Sequence, residues 1–276
     1  MSGLLEAFRP RHGGTADLSF LGEQPLMHPT ASQLYLVEVF ESIQGEGPDM
    51  GKPSTFIRLA GCNRRCAWCD TDKRHRYISP IRLFAEMLND YLEAKDKEGA
   101  EEVNLVFTGG EPTLQAEALN CVLSLTRLNH GAVSVWNHLE TNGTRLDSEA
   151  AKLCKFCKTV CISPKPPSAY NQPCDWAAIW EFIATDGLWT RAYVKTVIKT
   201  ASDLDWLIAG AADPQRTLNT QIVIQTYVDP LGDGMADFRG YWQAFLTSER
   251  LTWMRQHNVR IMPRLQNLIW GNHQGY

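Results

Sequence analysis

Thr55-Phe56-Ile57-Arg58-Leu59-Ala60-Gly61-Cys62-Asn63-Arg64-Arg65-Cys66-Ala67-Trp68-Cys69-Asp70-Thr71 runs from an apolar strand candidate straight into three cysteines spaced C-x3-C-x2-C. Threonine, phenylalanine and isoleucine at Thr55–Leu59 suit a pleated surface. Three thiolates within eight residues are in reach of one metal centre. A structural zinc wants four ligands, whereas an iron–sulfur cluster on three thiolates keeps one iron open for a substrate or cosubstrate. Arg64 and Arg65 are expected to favour the ionised thiols, and Trp68 offers a flat face for an aromatic ring. Taken alone, the spacing also permits a zinc knuckle with a distant fourth ligand, or three unligated thiols.

Around this loop, strand and helix patterns alternate. Leu34–Phe40 alternates as a strand, and Gly45, Gly47, Pro48 and Gly51 mark the loop before Thr55. Ser79 and Pro80 read as an N-cap and first-turn proline for a helix carrying Ile81, Phe84, Ala85, Leu88 and Leu92. Val103–Phe107 reads as a doubly covered parallel strand, Ala116–Leu128 as a helix and Ala132–Leu139 as a strand. Asp147 caps a helix through Leu153, and Val160–Ile162, Tyr193–Ile198 and Gln221–Tyr227 follow as strands. Helical stretches lie near Trp176 and at Ser202–Ile208, and a helix at Tyr241–Met254 leads to a strand at Val259–Met262. Such alternation implies an α/β fold, a parallel sheet with helices outside, open or curled into a partial barrel. In such barrels function collects at the C-terminal strand ends. Residues 1–33, with scattered Gly and Pro, read as an extension or flap outside the core, ahead of one catalytic domain over 34–276.

The 276 residues, 44% hydrophobic and 21% charged, exclude a collagenous, coiled-coil or disordered chain. The net charge of −4 offers no positive field for nucleic acid or an anionic membrane. No stretch is apolar enough to span a bilayer, and Glu6 and Arg9 interrupt any leader-like run. A soluble, cytoplasmic protein with reduced thiols is expected.

The C-x3-C-x2-C loop after a strand, with Thr108-Gly109-Gly110-Glu111-Pro112 at the end of a later one, resembles the radical S-adenosylmethionine (SAM) superfamily. That likeness implies a partial, open parallel β/α barrel, a [4Fe–4S] cluster on Cys62, Cys66 and Cys69, and SAM chelated at the open iron. Reductive cleavage of SAM would give a 5′-deoxyadenosyl radical, the protein supplying position and exclusion of water. Glu41-Ser42-Ile43-Gln44-Gly45-Glu46-Gly47 can by its chemistry read the edge of a nitrogen heterocycle. Together with Phe56–Thr71, Glu140-Thr141-Asn142-Gly143 and Ser163-Pro164-Lys165, it is similar to the 7-carboxy-7-deazaguanine synthase (QueE) family. The likeness runs over roughly Leu36 to Tyr276. It implies a lyase that converts 6-carboxy-5,6,7,8-tetrahydropterin to 7-carboxy-7-deazaguanine with loss of ammonia, for queuosine-type nucleosides, using SAM, the cluster and Mg²⁺. A flavodoxin- or ferredoxin-type reductant and a homodimer are further implications.

Position by position, the resemblance implies pterin contacts from Ile43, Gln44, Gly45, Thr108 and the last residue, Tyr276, with Arg58 on a substrate carboxylate, where a guanidinium fork fits. Thr71 would ligate Mg²⁺. Gly110, then Ser163, Pro164 and Lys165, then Gln225, Thr226, Tyr227 and Val228 would hold SAM. Glu140 would face the SAM ribose or cap the Asn142-Gly143 turn, and Lys195 would meet the SAM carboxylate or lie solvated. The likeness assigns no side chain as a catalytic acid or base.

Two features depart from the pattern. The family's closing Pro-Gln-x-His-Lys is replaced by Pro263-Arg264-Leu265-Gln266-Asn267. From Arg250 to Tyr276 there are four arginines, two histidines and no acidic residue, so this end either closes over an anionic substrate through Arg264 or forms an exposed basic tail. Cys154, Cys157, Cys161 and Cys174 could hold a second metal, yet Cys161 sits among strand residues where a thiol behaves as a small hydrophobe. A different radical SAM reaction, such as glycyl-radical activation, or a non-catalytic pterin-binding homologue remain the competing functions.

Overall fold

The computed structural model describes residues 3–7, 31–69, 71, 73–126, 129–211, 220–227, 239–240, 242–243 and 245–270. Among them one mixed sheet organises the chain. Strand β1 (Gln33–Ile43) pairs antiparallel with β2 (Pro53–Leu59), with Glu38 opposite Arg58, and antiparallel on its other side with the edge strand β3 (Tyr77–Pro80). Strand β2 then pairs in parallel with β4 (Glu102–Gly109). From there β6 (Val133–Thr141), β7 (Cys157–Ile162), β8 (Ala192–Ile198), β9 (Gln221–Thr226) and β10 (Val259–Ile261) continue in parallel, while β5 (Asn129–His130) folds back on β6. The path runs from β10 to β3 without closing, so the sheet is an open partial barrel.

Among the described residues, helices alternate with or follow the strands, and one precedes them. They are α1 (Gly3–Ala7), α2 (Ile81–Lys97), α3 (Ala116–Leu125), α4 (Ser148–Lys155), α5 (Trp176–Ala184), α6 (Ala201–Gly210), α7 (Ser248–Gln256) and α8 (Leu265–Trp270). Alternation along each strand sorts its side chains. Ile57, Leu105, Phe107, Leu139, Val160, Val194 and Ile222 join the large core under the helices. The opposite face carries Arg58, Thr108, Glu140 and Lys195 toward the concave side. A smaller apolar group, Cys161, Tyr193 and Val223, sits on that side too. No helix among the described residues is long and apolar enough to cross a membrane.

Local chemistry explains most boundaries and corrects several. Asp147 does cap α4, its carboxylate accepting from the backbone N–H of Glu149 and Ala150 at 3.1 and 3.0 Å. Ser79 does not cap α2: it lies in β3, its hydroxyl donates to the Pro80 carbonyl, and Pro80 itself stands at the cap without a side-chain bond. The helix expected over Tyr241–Met254 is interrupted at Leu246 and Thr247; the Thr247 hydroxyl accepts from Arg250 N–H and starts α7 afresh. Near the N-terminus, Leu4 of α1 is fully buried in the main core, so Gly3–Ala7 packs with the domain instead of lying outside it. Of the rest of the expected flap, residues 1–2 and 8–30 lie outside the described residues, and Gln33 already belongs to β1.

Candidate active site

The cysteine loop leaves β2 at Gly61, whose φ of 76° is a left-handed conformation that glycine adopts at little cost. Three backbone bonds set its course: Gly61 N–H to the Lys73 carbonyl at 2.8 Å, Ala67 N–H to the Ala169 carbonyl at 2.8 Å and Cys69 N–H to the Cys66 carbonyl at 3.3 Å. The loop after β4 crosses beneath it. A Cβ on Gly110 would stand 1.8 Å from the Gly61 carbonyl oxygen, so only glycine fits there. The Gly110 and Glu111 N–H groups donate to the Leu59 and Gly61 carbonyls. Glu111, fully buried, accepts from Thr113 N–H and hydroxyl, from the Thr141 hydroxyl at 2.6 Å and from Asn142 N–H at 2.6 Å. It therefore fastens the β4 and β6 ends together. Asn142 in turn points its amide at Cys62 Sγ (3.9 Å) and Asn63 (2.9 Å).

These strand ends and loops surround one cleft of about 440 Å³. Cys62, Cys66 and Cys69 line it, as do Ile43, Gln44, Gly45, Arg58, Thr71, Thr108, Gly110, Ser163 and Lys165. All three thiols are free. Burial pushes the Cys62 thiol up, opposed by the Arg64 backbone N–H and the Lys73 charge. The expected help from arginine charge is therefore not seen at Cys62, because the Arg64 guanidinium stacks over Tyr170 at 4.4 Å. Among the described residues, no group of three or more His, Cys, Asp or Glu converges as a ready single-ion site. A cluster takes one thiolate per iron, so wider spacing suits it. Three free thiols on one loop, with the Gly110 backbone pressed beneath, fit an iron–sulfur cluster better than a zinc ion.

The carboxylates sort by partner. Glu38 holds Arg58 through Oε1···Nε at 2.8 Å, which aims the guanidinium so that Nη1 lies 3.5 Å from the Thr71 hydroxyl. Glu140 accepts from the Thr108 hydroxyl at 2.8 Å and the Gln44 amide at 3.4 Å, both neutral donors. Glu46 takes Lys195, Arg264 Nε at 2.9 Å and Gln266 Nε2 at 2.6 Å. Burial by itself would raise its carboxyl, yet the Lys195 and Arg264 charges hold it well below the usual carboxylate range. Lys195, with burial working against it, is held above the usual lysine range by Glu46. Lys195 is thus not solvated: it is buried against Glu46 at the lining of the cleft. Lys165 donates to the Ser163 hydroxyl at 3.0 Å.

Other expected residues fall outside the cleft lining. The Pro164 carbonyl accepts from the Thr196 hydroxyl, and the Thr226 hydroxyl is occupied by Trp242 Nε1 at 2.7 Å. Gln225 is fully buried, with neither amide atom bonded among the described residues. Tyr227 lies against Trp68 at 5.3 Å, with Lys199 over its ring at 4.3 Å. Trp68 thus meets a tyrosine of the chain at a tilt of 59° while still lining the cleft. Val228 and Tyr276 lie outside the described residues. Arg264 does reach the cleft, as one of the two readings of the basic end required, but its Nε is spent on Glu46. In the second cysteine group, Cys154, Cys157 and Cys161 are buried and burial pushes Cys154 up to about 12, Cys161 to about 11 and Cys174 to about 11, the pattern of inert packed thiols.

Sequence reasoning missed the roles of Glu38, Glu46, Glu111, Asn142 and Gln266. Only Glu38 carried a usable signal, as an acid within an otherwise apolar strand; that it stands opposite Arg58 comes from the structure alone.

Comparison with known proteins agrees with this geometry. The radical SAM superfamily profile matches residues 56–183. The 7-carboxy-7-deazaguanine synthase of Thermoplasma acidophilum is 31% identical over 249 residues, covering 88% of this chain and 100% of that one. The enzyme of the same name from Halobacterium salinarum is 30% identical, covering 85% and 90%. Among solved structures, QueE from Escherichia coli overlays with a TM-score of 0.50 at 20% identity, over 84% of this chain and 94% of that one. The protein anSMEcpe with bound AdoMet overlays at 0.54 and 19%, over 78% and 65%. At those identities the structural likeness concerns the fold.

Proposed function

The chain belongs to the 7-carboxy-7-deazaguanine synthase family of radical SAM enzymes, and from that premise we propose that it converts 6-carboxy-5,6,7,8-tetrahydropterin to 7-carboxy-7-deazaguanine with release of ammonia. The observation that carries the reading is a single cleft lined by the three free thiols, the Gln44-Gly45 loop and Arg58. When bound, a [4Fe–4S] cluster with SAM supplies one-electron chemistry able to remove hydrogen from an unactivated carbon.

The protein's own residues would then bind, orient and exclude water. Cys62, Cys66 and Cys69 would hold the cluster, and the Gly110 backbone, Ser163 and Lys165 would hold SAM against it. Arg58, pre-aimed by Glu38, would take the pterin carboxylate in two parallel bonds. Gln44 and Glu140, already joined to each other and to Thr108, would present both a donor and an acceptor to the heterocycle edge. The Thr71 hydroxyl, beside Arg58, would ligate Mg²⁺ shared with substrate oxygens. A flavodoxin- or ferredoxin-type reductant, a homodimer, a cytoplasmic setting and use of the product in queuosine-type nucleosides complete the proposal.

The test is anaerobic incubation of reconstituted protein with SAM, dithionite, Mg²⁺ and the carboxytetrahydropterin, with mass spectrometry of the products. The deazapurine is expected. SAM cleavage that leaves the pterin intact would refute the assignment and favour another radical SAM reaction.

A further inference from the structure

Glu46 lies on the loop that carries Gln44 and Gly45, yet its carboxylate is turned to partners within the chain. It is 8% exposed, and its two oxygens already take Lys195 of β8, Arg264 and Gln266. Its own N–H donates to the Gln44 side-chain oxygen at 3.1 Å, which sets the amide of Gln44 toward Glu140. A second tie runs beside it. Leu265 N–H, at the start of α8, donates to the Gly45 carbonyl at 2.9 Å. A Cβ at position 45 would stand 1.7 Å from Gln266 Oε1 and 3.0 Å from the Gln266 backbone nitrogen, so the Gln266 side chain fills the space beside the glycine. Arg264, Gln266 and Asn267 all line the cleft. None of the helix's residues is buried, and Leu268 and Ile269 are 44% and 51% exposed.

We infer that Glu46 is a positioning residue: its carboxylate draws α8 against the Ile43–Gly45 loop, so that the C-terminal segment becomes a wall of the substrate cleft and the Gln44 amide is held in its reading orientation. The wall is built from Arg264 and Gln266, where this chain departs from the family's closing motif. Charge-assisted bonds between side chains 149, 218 and 220 residues apart join three segments that nothing in the local sequence would bring together. The inference rests on the function proposed above only for the identity of the substrate. The fastening itself is a property of the chain.

Two variants cut the fastening from opposite sides. Glu46→Gln removes the charge, and Gln266→Ala removes one donor while leaving the Glu46–Lys195 pair. Hydrogen exchange of the cluster-loaded protein is expected to show residues 263–270 losing protection in both, with iron content and far-UV circular dichroism as in the unaltered protein. The KM for the pterin should rise about tenfold, more than kcat falls, since each charged bond lost is worth about that factor. The KM for SAM should move by less than about twofold. Unchanged protection of 263–270 in both variants overturns the inference, as does lost protection with an unmoved pterin KM. Should the unaltered protein not turn over the pterin, the function proposed above fails, and the exchange measurement still decides whether Glu46 holds the helix.

Discussion

Glu111→Gln tests the claim that a buried carboxylate, and not the glycines alone, shapes the floor beneath the cysteine loop. The glutamine keeps the volume and one carbonyl oxygen, which can still serve the Thr113 N–H, the Thr113 hydroxyl and the Thr141 hydroxyl. Its NH₂ then faces the Asn142 N–H, which donates to Glu111 Oε2 at 2.6 Å. One charge-assisted bond is lost and a buried N–H is left without an acceptor, together about 3 kcal/mol. For a chain of this size roughly 2–4 °C accompanies each kcal/mol, so Tm should fall by roughly 6–12 °C. Loosening Asn142 also frees its amide from Asn63 and Cys62, so iron retention on gel filtration should drop in parallel. Thermal unfolding followed by circular dichroism, anaerobic and under reductant, reads the first effect, and iron per chain reads the second. A variant that melts within about 1 °C of the unaltered protein would refute the reasoning, because no rearrangement of a fully buried glutamine supplies four donors with acceptors.

Gly110→Ala drives a methyl into the Gly61 carbonyl; iron loading and SAM affinity by equilibrium dialysis should both fall, by about tenfold or more for SAM. Cys157→Ala should leave iron per chain at the value of the unaltered protein, with a cost of only about 1 kcal/mol in unfolding, since Cys157 is packed and its thiol donates to the Leu153 carbonyl at 3.3 Å. Leu4→Ala should cost about 2–4 kcal/mol in urea unfolding if the first helix belongs to the core, and nearly nothing if it is a loose flap. The depressed Glu46 carboxyl contributes stability that is present above its unfolded value near 4.3 and is lost as pH falls below that toward the folded value. The Tm gap between the unaltered protein and Glu46→Gln should therefore be widest above about pH 5 and shrink on acidification; a gap constant from pH 7 to pH 3 contradicts the assignment.

The parallel strands could be read from the sequence because each is short, apolar and covered on both faces, as Val103–Phe107 within Glu102–Gly109 illustrates. The cysteine loop, the Gly109-Gly110 turn and the Asp147 cap were equally legible, since each depends on residues a few positions apart. The antiparallel start was not. Nothing local says that Leu34–Phe40 pairs backward with both Pro53–Leu59 and Tyr77–Pro80, and Ser79-Pro80 imitates a helix start while forming a strand. Helix α8 escaped notice because six residues with no buried side chain leave no periodic mark. The roles of Glu46 and Lys195 were hidden for a related reason. Each looks like a ligand contact or a solvated charge until the fold sets them together, whereas Glu140 is met by the neutral Gln44 and Thr108.

The spacing of the Glu46 partners along the chain also bears on biogenesis. Glu46 leaves the ribosome 149 residues before Lys195 and more than two hundred before Arg264 and Gln266. Domains fold as units, so the cysteine loop, though its own residues are made by Thr71, gains the Ala169 carbonyl that fixes Ala67 only after most of the sheet has been synthesised. Arg264 and Gln266, which wall the chamber, follow later still.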